Sequence, residues 1–547
     1  MDTPSTRSFA THVVDNQPPE FAPRDLHADD AVLREGLARA GAAAFDAALA
    51  GYGALAGSTL YALGFEANGD KPRLKTHDRF GHRIDLVEFH PAYHQLMQAA
   101  KEHGVAGLSW HAPQPGAHVA RAALSYLHHQ AEAGTSCPLT MTHAAVPVLR
   151  REPALQAWAD KAAAPHYDPR DVPIADKAGI TVGMGMTEKQ GGSDVRGNTT
   201  CATATSVEGE YTLVGHKWFF SAPMSDGWLV LAQAPGGLTC FLLPRRLPDG
   251  QKNAFQLMRL KDKLGDWANA SGEVEFTGAW ARRVGAEGRG VATILQMVML
   301  TRLDCMLAAT AEMRMALAQA VHHTRHRSTF GKALVEHALM RNVLADLSLE
   351  WEAALALCLR VAAAVDRAPT APAEAALARV ATAIGKYWIC RRAPAFVNEA
   401  QECLGGAGYV EESILPRLFR QSPLNGIWEG SGNIQCLDVL RALAKEPECG
   451  QVLLAELAAA RGLDHAYDRQ FEVVAAQLAA GHTVEAGARL LVEHLALLLQ
   501  ASVLLRAGSP AAELFCRSRL GGQHGLALGT LPAGADFRML IGRALPA

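Results

Sequence analysis

A mainly helical α+β fold in four sections is predicted by three features of this 547-residue chain. Helical periodicity dominates both ends. Short β-branched, aromatic and glycine-divided segments are confined to the middle. The two patterns are segregated, which argues against an alternating βαβ domain. The sections are an N-terminal arm and helical domain (1–182), a β-barrel or sandwich (183–285), a helical bundle (286–444) and a C-terminal helical extension (445–547).

Taken in order, residues 1–25 read as an irregular arm. From Ala28 to about Arg151 the chain is rich in alanine and leucine, with long helical runs at Asp29–Ala50 and Ala117–Ala133; Asp29 suits the N-cap of the first. Character changes near Gly183. Tyr211–Phe220, Trp228–Ala232, Thr239–Leu243 and Glu273–Phe276 have strand composition, the last alternating charged and apolar residues. Helical periodicity returns at Gly290, and Val291–His326, Ala333–Ala364, Ala373–Leu404 and Gly432–Ala444 are long enough for bundle helices.

With 49% hydrophobic and 20% charged residues the chain can bury large cores, and its net charge of −3 supplies no general attraction to nucleic acid or membranes. Ten scattered cysteines, none in a Cys-x-x-Cys pair, predict reduced thiols in a cytoplasmic protein. Met1–Pro23 has no signal-peptide pattern, and no run of about 18 uninterrupted apolar residues predicts a membrane span.

Five motifs carry chemistry. Met186-Thr187-Glu188-Lys189-Gln190-Gly191-Gly192-Ser193-Asp194 stands where helices give way to strands. Its glycines permit close backbone approach to a ligand, and its hydroxyls can both donate and accept. Alone it reads as a polar turn. Gly215-His216-Lys217-Trp218-Phe219-Phe220-Ser221 could stack on and bond a flat heteroaromatic ring; alone it reads as a core strand. Arg327-Ser328-Thr329-Phe330-Gly331-Lys332 offers a guanidinium suited to phosphate, or a helix end with a glycine stop. Gly405-Gly406-Ala407-Gly408-Tyr409 is the fourth. In the fifth, Ile427-Trp428-Glu429-Gly430-Ser431-Gly432-Asn433, a glutamate in a water-poor aromatic setting is a candidate proton abstractor, because desolvation raises its pKa; an acid at a helix N-terminus is the plainer alternative.

Two patterns are decoys. Gly51-Tyr52-Gly53-Ala54-Leu55-Ala56 satisfies a loose dinucleotide pattern but follows a helical run. His322, His323 and His326 could face a metal, but no carboxylate follows at ligand spacing and Arg325 and Arg327 would repel a cation. A surface helix is expected there, and again at His128-His129, with no metal site.

The five motifs, in this order, resemble those of acyl-CoA dehydrogenases, whose pattern includes T-E-x-x-x-G-S-D, K-x-W-[IF]-[TS], R-x-T-F-G, G-G-x-G-[YF] and E-G-[TS]. The helix, β, helix layout is similar as well, over roughly residues 90–445. Met186–Val195, Gly215–Ser221, Arg259–Gly265 and Ile427–Ile434 resemble the AidB-type branch more closely, and so do Asp85–Ala100, Glu132–Pro147 and the extension past 445.

The resemblance implies FAD as cofactor. The stretch from Met184 to Ser193 would line it, through Met184, Met186, Thr187, Gly192 and Ser193, with Phe219, Phe220 and Ser221 beside the ring. Ile427, Trp428, Gly430, Ser431 and Asn433 would complete the site. Arg327 and Phe330 match residues that reach the FAD of a neighbouring subunit, which implies a homo-oligomer, a tetramer. Glu429 matches the base that removes the α-proton of an acyl-CoA while hydride leaves the β-carbon for the flavin. Trp428, Asn433, Ala407 and Ala338 depart from the metabolic enzymes, and the bulkier Trp428 narrows the acyl site. AidB-type proteins are associated with the response to DNA alkylation, bind double-stranded DNA through the C-terminal helical region and have weak isovaleryl-CoA dehydrogenase activity. Arg441, Arg517 and Arg519 are the DNA-contact candidates. From Arg441 onward ten basic and ten acidic residues cancel, but Arg506, Arg517, Arg519, Arg538 and Arg543 oppose only Glu513 and Asp536 in the last stretch. The alternatives are a catabolic short- or branched-chain acyl-CoA dehydrogenase without DNA binding and a flavin-stabilised DNA-binding scaffold without turnover. A nitroalkane oxidase is disfavoured, since it uses aspartate where this chain has Glu429.

Overall fold

The computed structural model describes residues 11–480 and 484–546, so residues 1–10 of the expected arm lie outside the described residues. Residues 11–25 contain no helix or strand, yet they are anchored: Arg24 N–H donates to Gly57 O at 2.9 Å and His322 Nε2 meets Pro19 O at 2.8 Å.

The N-terminal region contains α1 (Ala31–Arg39), α2 (Asp46–Leu55), α3 (Tyr61–Gly69), α4 (Pro91–Glu102), α5 (Leu108–His111), α6 (Ala117–Ala131), α7 (Ser136–Leu149) and α8 (Gln156–Ala163). Two expectations are corrected. A hairpin, β1 (Arg73–His77) with β2 (Arg83–Glu88), interrupts the helices. Its Arg-Ile-Asp-Leu-Val-Glu run lets Val87 join the aromatic core of the β unit. The cap of α1 is Asp30, whose Oδ1 accepts from Leu33 N–H at 2.8 Å; Asp29 pairs with Arg24 at 2.6 Å.

The middle strands are β3 (Val182–Gly185), β4 (Cys201–Ala204), β5 (Glu210–Ser221), β6 (Gly227–Ala234), β7 (Gly237–Pro244), β8 (Phe255–Leu260) and β9 (Ser271–Val284). They join in the order β3-β6-β4-β5-β9-β7, with β8 on β9, and a β6–β7 pairing closes the ring into a barrel. Closure leaves few free edges. Phe220, Trp228, Phe241, Phe255 and Phe276 fill the interior.

The bundle is built on α9 (Gly290–His326), buried continuously from Leu300 to Thr324 and packed against α6, α7, α10 (Ala338–Arg367) and α11 (Pro372–Cys403). A helix covered on all sides needs apolar residues all round. The polar exceptions are paired: Arg121 with Asp304, Arg314 with Asp30, and His129 with Glu312. His322 and His323 are therefore buried on α9, and His128 and His129 on α6, where surface helices were expected. By length and composition α9 and the segment Glu485–Arg506 could each cross a membrane, but both are mostly buried within the protein.

Beyond α12 (Leu415–Gln421) and α13 (Gly432–Lys445), the extension adds α14 (Pro447–Ala458), α15 (His465–Ala479), α16 (Ala488–Arg506), α17 (Ala512–Phe515) and α18 (Phe537–Ala544). It corrects the arginine count. Arg519 is buried and paired with Asp346 and, at 3.1 Å, Glu350, so it is a structural strut between the extension and α10 and is removed as a DNA contact. Arg543 pairs with Glu35 at 2.8 Å and Glu352 at 2.9 Å, and Arg506 with Glu456 at 2.9 Å. Apart from Glu456, the acids come from segments far back in sequence, which a local charge count cannot register.

Candidate active site

The loop between α12 and α13 carries Glu429 in a left-handed conformation, φ +58°, followed by Gly430 at φ +96°. A non-glycine residue there costs about 1–2 kcal/mol, so its surroundings must impose it. They do. The buried Lys386 ammonium on α11 donates to three carbonyls: Asn425 O at 3.1 Å, Trp428 O at 2.9 Å and Gly430 O at 2.8 Å. Arg302 Nε on α9 and Gln435 Nε2 on α13 both donate to Glu429 O, at 3.0 and 3.1 Å.

The carboxylate so placed accepts a hydrogen bond from Thr301 Oγ1 to Oε2 at 2.7 Å. Burial pushes its pKa above the ordinary 4.5, against the Thr301 hydrogen bond and the nearby charges of Lys386 and Arg302. Glu429 lines a cavity between helices and barrel. Met184 of β3, Ser221 of β5 and Trp428 line it with Glu429. The other walls are Ser125 and His129 on α6, Ser136 and Thr140 on α7, and Thr301, Asp304 and Ala308 on α9.

The loop after β3 is organised around a fully buried ion pair, Glu188 with Lys217 Nζ at 2.7 Å. Glu188 also accepts from Thr199 N–H at 2.7 Å and Thr200 N–H at 3.2 Å, and these partners hold its pKa well below the usual range. Thr187 O accepts from Trp218 N–H at 2.8 Å, which ties this loop to β5. A Cβ on Gly192 would stand 2.8 Å from Thr187 Oγ1. Met186 and Thr187 are half-buried; Gly192 and Ser193 are exposed.

Along β5, Phe219 is 51% exposed and Ser221 faces the cavity, whereas Phe220 points the other way into the barrel core, 4.8 Å from Trp228. Phe220 is thus corrected from a cofactor contact to a core residue; alternation along a strand requires its neighbours and itself to take opposite faces. Arg327 and Phe330 lie away from the cavity. Phe330 (φ +50°) and Gly331 (φ +81°) form the two-residue turn of a hairpin, Ser328–Thr329 with Lys332–Ala333, and Phe330 is 97% exposed at its tip. Arg327 donates to Asn16 O at 2.7 Å. Ile427 is 65% exposed, Ser431 precedes α13 as its N-cap, and Asn433 Oδ1 accepts from Arg489 of α16 at 2.8 Å.

Family models match along the chain: the adaptive response protein AidB N-terminal domain over residues 16–169, the acyl-CoA dehydrogenase middle domain over 183–279 and the acyl-CoA dehydrogenase C-terminal domain over 288–444. The chain is 46% identical over 525 residues to AidB of Escherichia coli (strain K12), covering 95% of this chain and 96% of that one. This chain belongs to the acyl-CoA dehydrogenase family, in its AidB branch. The structure of Caenorhabditis elegans ACDH-11 in complex with C11-CoA superposes with a TM-score of 0.83 at 26% identity, covering 95% of this chain and 94% of that one. Butyryl-CoA dehydrogenase from Megasphaera elsdenii shares the fold, with a TM-score of 0.57 at 20% identity over 78% of this chain and 100% of that one.

Members of the family are generally flavoproteins. The groups present here fit a flat, hydrogen-bonding cofactor: an exposed aromatic at Phe219, hydroxyls at Thr187, Ser193 and Ser221, and a glycine pair whose lack of side chains keeps the loop open. Thr301, Lys386, Arg302, His129 and Ser125 were missed in the sequence. Their signal was faint, a polar residue at helical spacing within alanine- and leucine-rich runs: Ser125 and His129 four apart, Thr301 and Asp304 three apart.

Proposed function

We propose that this chain is an FAD-dependent oxidoreductase acting on a short acyl thioester, with Glu429 as the base that takes the α-proton. The observation that carries this reading is the strained, triply anchored backbone that presents the Glu429 carboxylate to the cavity between helices and barrel. Oε2 is engaged by Thr301, which leaves Oε1 to receive the proton. Burial keeps water away and raises the basicity of the carboxylate toward that of a group able to take a weakly acidic proton. Phe219, Ser221 and the Thr187–Ser193 loop would hold the flavin, which would supply an acceptor for the β-hydrogen with its electron pair; with the α-proton taken by Glu429, the product would be an α,β-unsaturated thioester. Acyl-CoA as ligand class is supported by the C11-CoA complex of ACDH-11. The likeness to the family supports a homo-oligomer, a tetramer, in which the exposed Phe330 tip would reach a neighbouring copy.

The narrower proposal, a duplex-DNA partner and a role in the response to DNA alkylation, rests on the likeness to AidB and on Arg441, which is exposed on α13 twelve residues after the base. Arg517 is half-buried and donates to Gln523 at 3.0 Å, so it contributes less.

The test of the main reading is anaerobic. The purified protein should carry a flavin spectrum, bleached by short acyl-CoAs in wild type and unbleached in Glu429→Gln. No bleaching across a panel of acyl chain lengths overturns it. For the DNA proposal, a duplex mobility shift that weakens with salt and is lost in Arg441→Ala is expected; no shift at low salt removes that half alone.

A further inference from the structure

A second, larger cavity lies apart from Glu429. It holds about 470 Å³, within the range of about 300–1,000 Å³ typical of small-molecule sites. Its walls are the β1–β2 hairpin, the start of α4, residues 164–181 and the turn after β5. Residues 164–181 join α8 to β3 with a single 3-10 turn, Ile174–Asp176, and long irregular segments inside a compact domain are commonly binding loops. The two cavities stand back to back: Cys137 and Ser221 line the one with Glu429, while their next neighbours Pro138 and Ala222 line this one.

One wall is aromatic. Phe89 and Tyr93 stack with ring centroids 4.0 Å apart, and His94 Nδ1 meets the Tyr167 hydroxyl at 2.8 Å. A stacked pair at the head of α4 gives a flat apolar surface. The floor is polar. Ser225 lines it and is 2% exposed, and its Oγ has no hydrogen-bond partner among the described residues. Lys177 Nζ donates to Asp226, the next residue, and at 2.9 Å to Asp168 O; the third N–H of the ammonium has no partner among the described residues. Each lining carboxylate is answered: Asp226 by Lys177, Asp168 by Arg170 at 2.6 Å, Glu88 by Lys75 at 2.6 Å and Asp70 by Arg73 at 2.6 Å. Lys71, the remaining lining base, has Asp262 at 3.4 Å. Behind the floor Asp171 serves two cations, Arg245 at 3.0 Å and Arg246 at 2.7 Å, and the buried Arg245 also donates to Met224 O at 3.3 Å. One positive charge is therefore in excess beside an unused N–H and an unused hydroxyl. A buried cation without its full share of counter-charge favours a bound anion.

We propose that this cavity binds an aromatic carboxylic acid, its carboxylate on Lys177 and Ser225 and its ring against Phe89 and Tyr93. A neutral ligand leaves the excess charge unanswered, and an alkyl acid leaves the flat wall without a matching face. A dianion brings one charge more than the cations offset. Binding here is non-covalent, and it does not depend on Glu429 acting as base.

The test is calorimetric titration of the purified full chain with phenylacetate, phenylacetamide and cyclohexylacetate. The amide keeps the ring and loses the charge; the cyclohexyl acid keeps the charge and loses the flat ring. Phenylacetate should bind about tenfold or more tightly than the amide, and several-fold more tightly than the cyclohexyl acid. Ser225→Ala removes a hydroxyl that bonds nothing else in the fold, and should weaken phenylacetate by about tenfold, the worth of one hydrogen bond to a charged group. Leu86→Trp, at a half-buried lining position on β2, should abolish binding, and Glu429→Gln should leave it unchanged. No binding of phenylacetate, or equal binding of the amide or the cyclohexyl acid, overturns the proposal. So does unchanged affinity in Ser225→Ala or in Leu86→Trp, and so does loss of binding in Glu429→Gln, which assigns the ligand to the other cavity.

Discussion

Replacing Thr301 with valine removes one hydroxyl at nearly constant volume, and the hydroxyl removed is the one that donates to Glu429 Oε2 at 2.7 Å. That hydrogen bond favours the ionised carboxylate, so it opposes the burial that raises the Glu429 pKa. A hydrogen bond to a charged group is worth about 1.5–3 kcal/mol, so Thr301→Val should raise the Glu429 pKa further. The assay is the pH dependence of flavin bleaching under anaerobic single turnover. Its acid limb should move upward, with the rate falling about tenfold per pH unit below the new pKa and approaching wild type above it. The same shift reads out in stability. Because the folded-state pKa lies above the unfolded one, ionising Glu429 works against folding, and stability declines as pH rises from the unfolded value through the folded one. The valine variant should carry this decline to higher pH. An acid limb that stays put, or moves down, refutes the argument that Thr301 tunes the base.

Three further outcomes are expected. Lys386→Met strips three carbonyls of their shared cation; chemical denaturation should show a loss of about 3–5 kcal/mol, as for other buried charges removed from their partners, and bleaching should slow by about a hundredfold as Glu429 relaxes from φ +58°. Glu188→Gln leaves Lys217 charged and unpaired in a fully buried site, so a stability loss of about 3–5 kcal/mol and weaker flavin retention on dialysis should appear together. Arg519→Ala should cost stability, about 3–5 kcal/mol by denaturant titration, through the stranded Asp346, while Glu350 keeps Arg392, with no change in the salt dependence of any duplex binding that remains.

Long-range order was legible in the sequence where a single periodicity ran on: the strand pattern from Tyr211 to Phe276 and the helices from Val291 to Lys445 need no tertiary information. The β1–β2 hairpin was hidden because its strands are short and mostly solvent-facing, and its one core residue, Val87, packs on a barrel more than a hundred residues away. The buried histidines of α6 and α9 were misread for a related reason. A histidine counts as polar until a partner such as Glu312 is known to lie across the helix interface. In the site, Glu429 and its glycine neighbours form a contiguous motif, whereas Lys386, Thr301 and His129 converge from three different helices. Phe220 shows the limit of the motif itself, since neighbouring positions of one strand cannot share a face.

The central claim is that Glu429 takes the α-proton of an acyl thioester. It is tested most directly by stopped-flow bleaching of the anaerobic flavoprotein with a short acyl-CoA carrying either hydrogen or deuterium at the α-carbon. Wild type should bleach several-fold more slowly with the deuterated compound, and Glu429→Gln, which keeps the shape of the side chain without its basicity, should not bleach with either. Bleaching at the wild-type rate in Glu429→Gln would contradict the account.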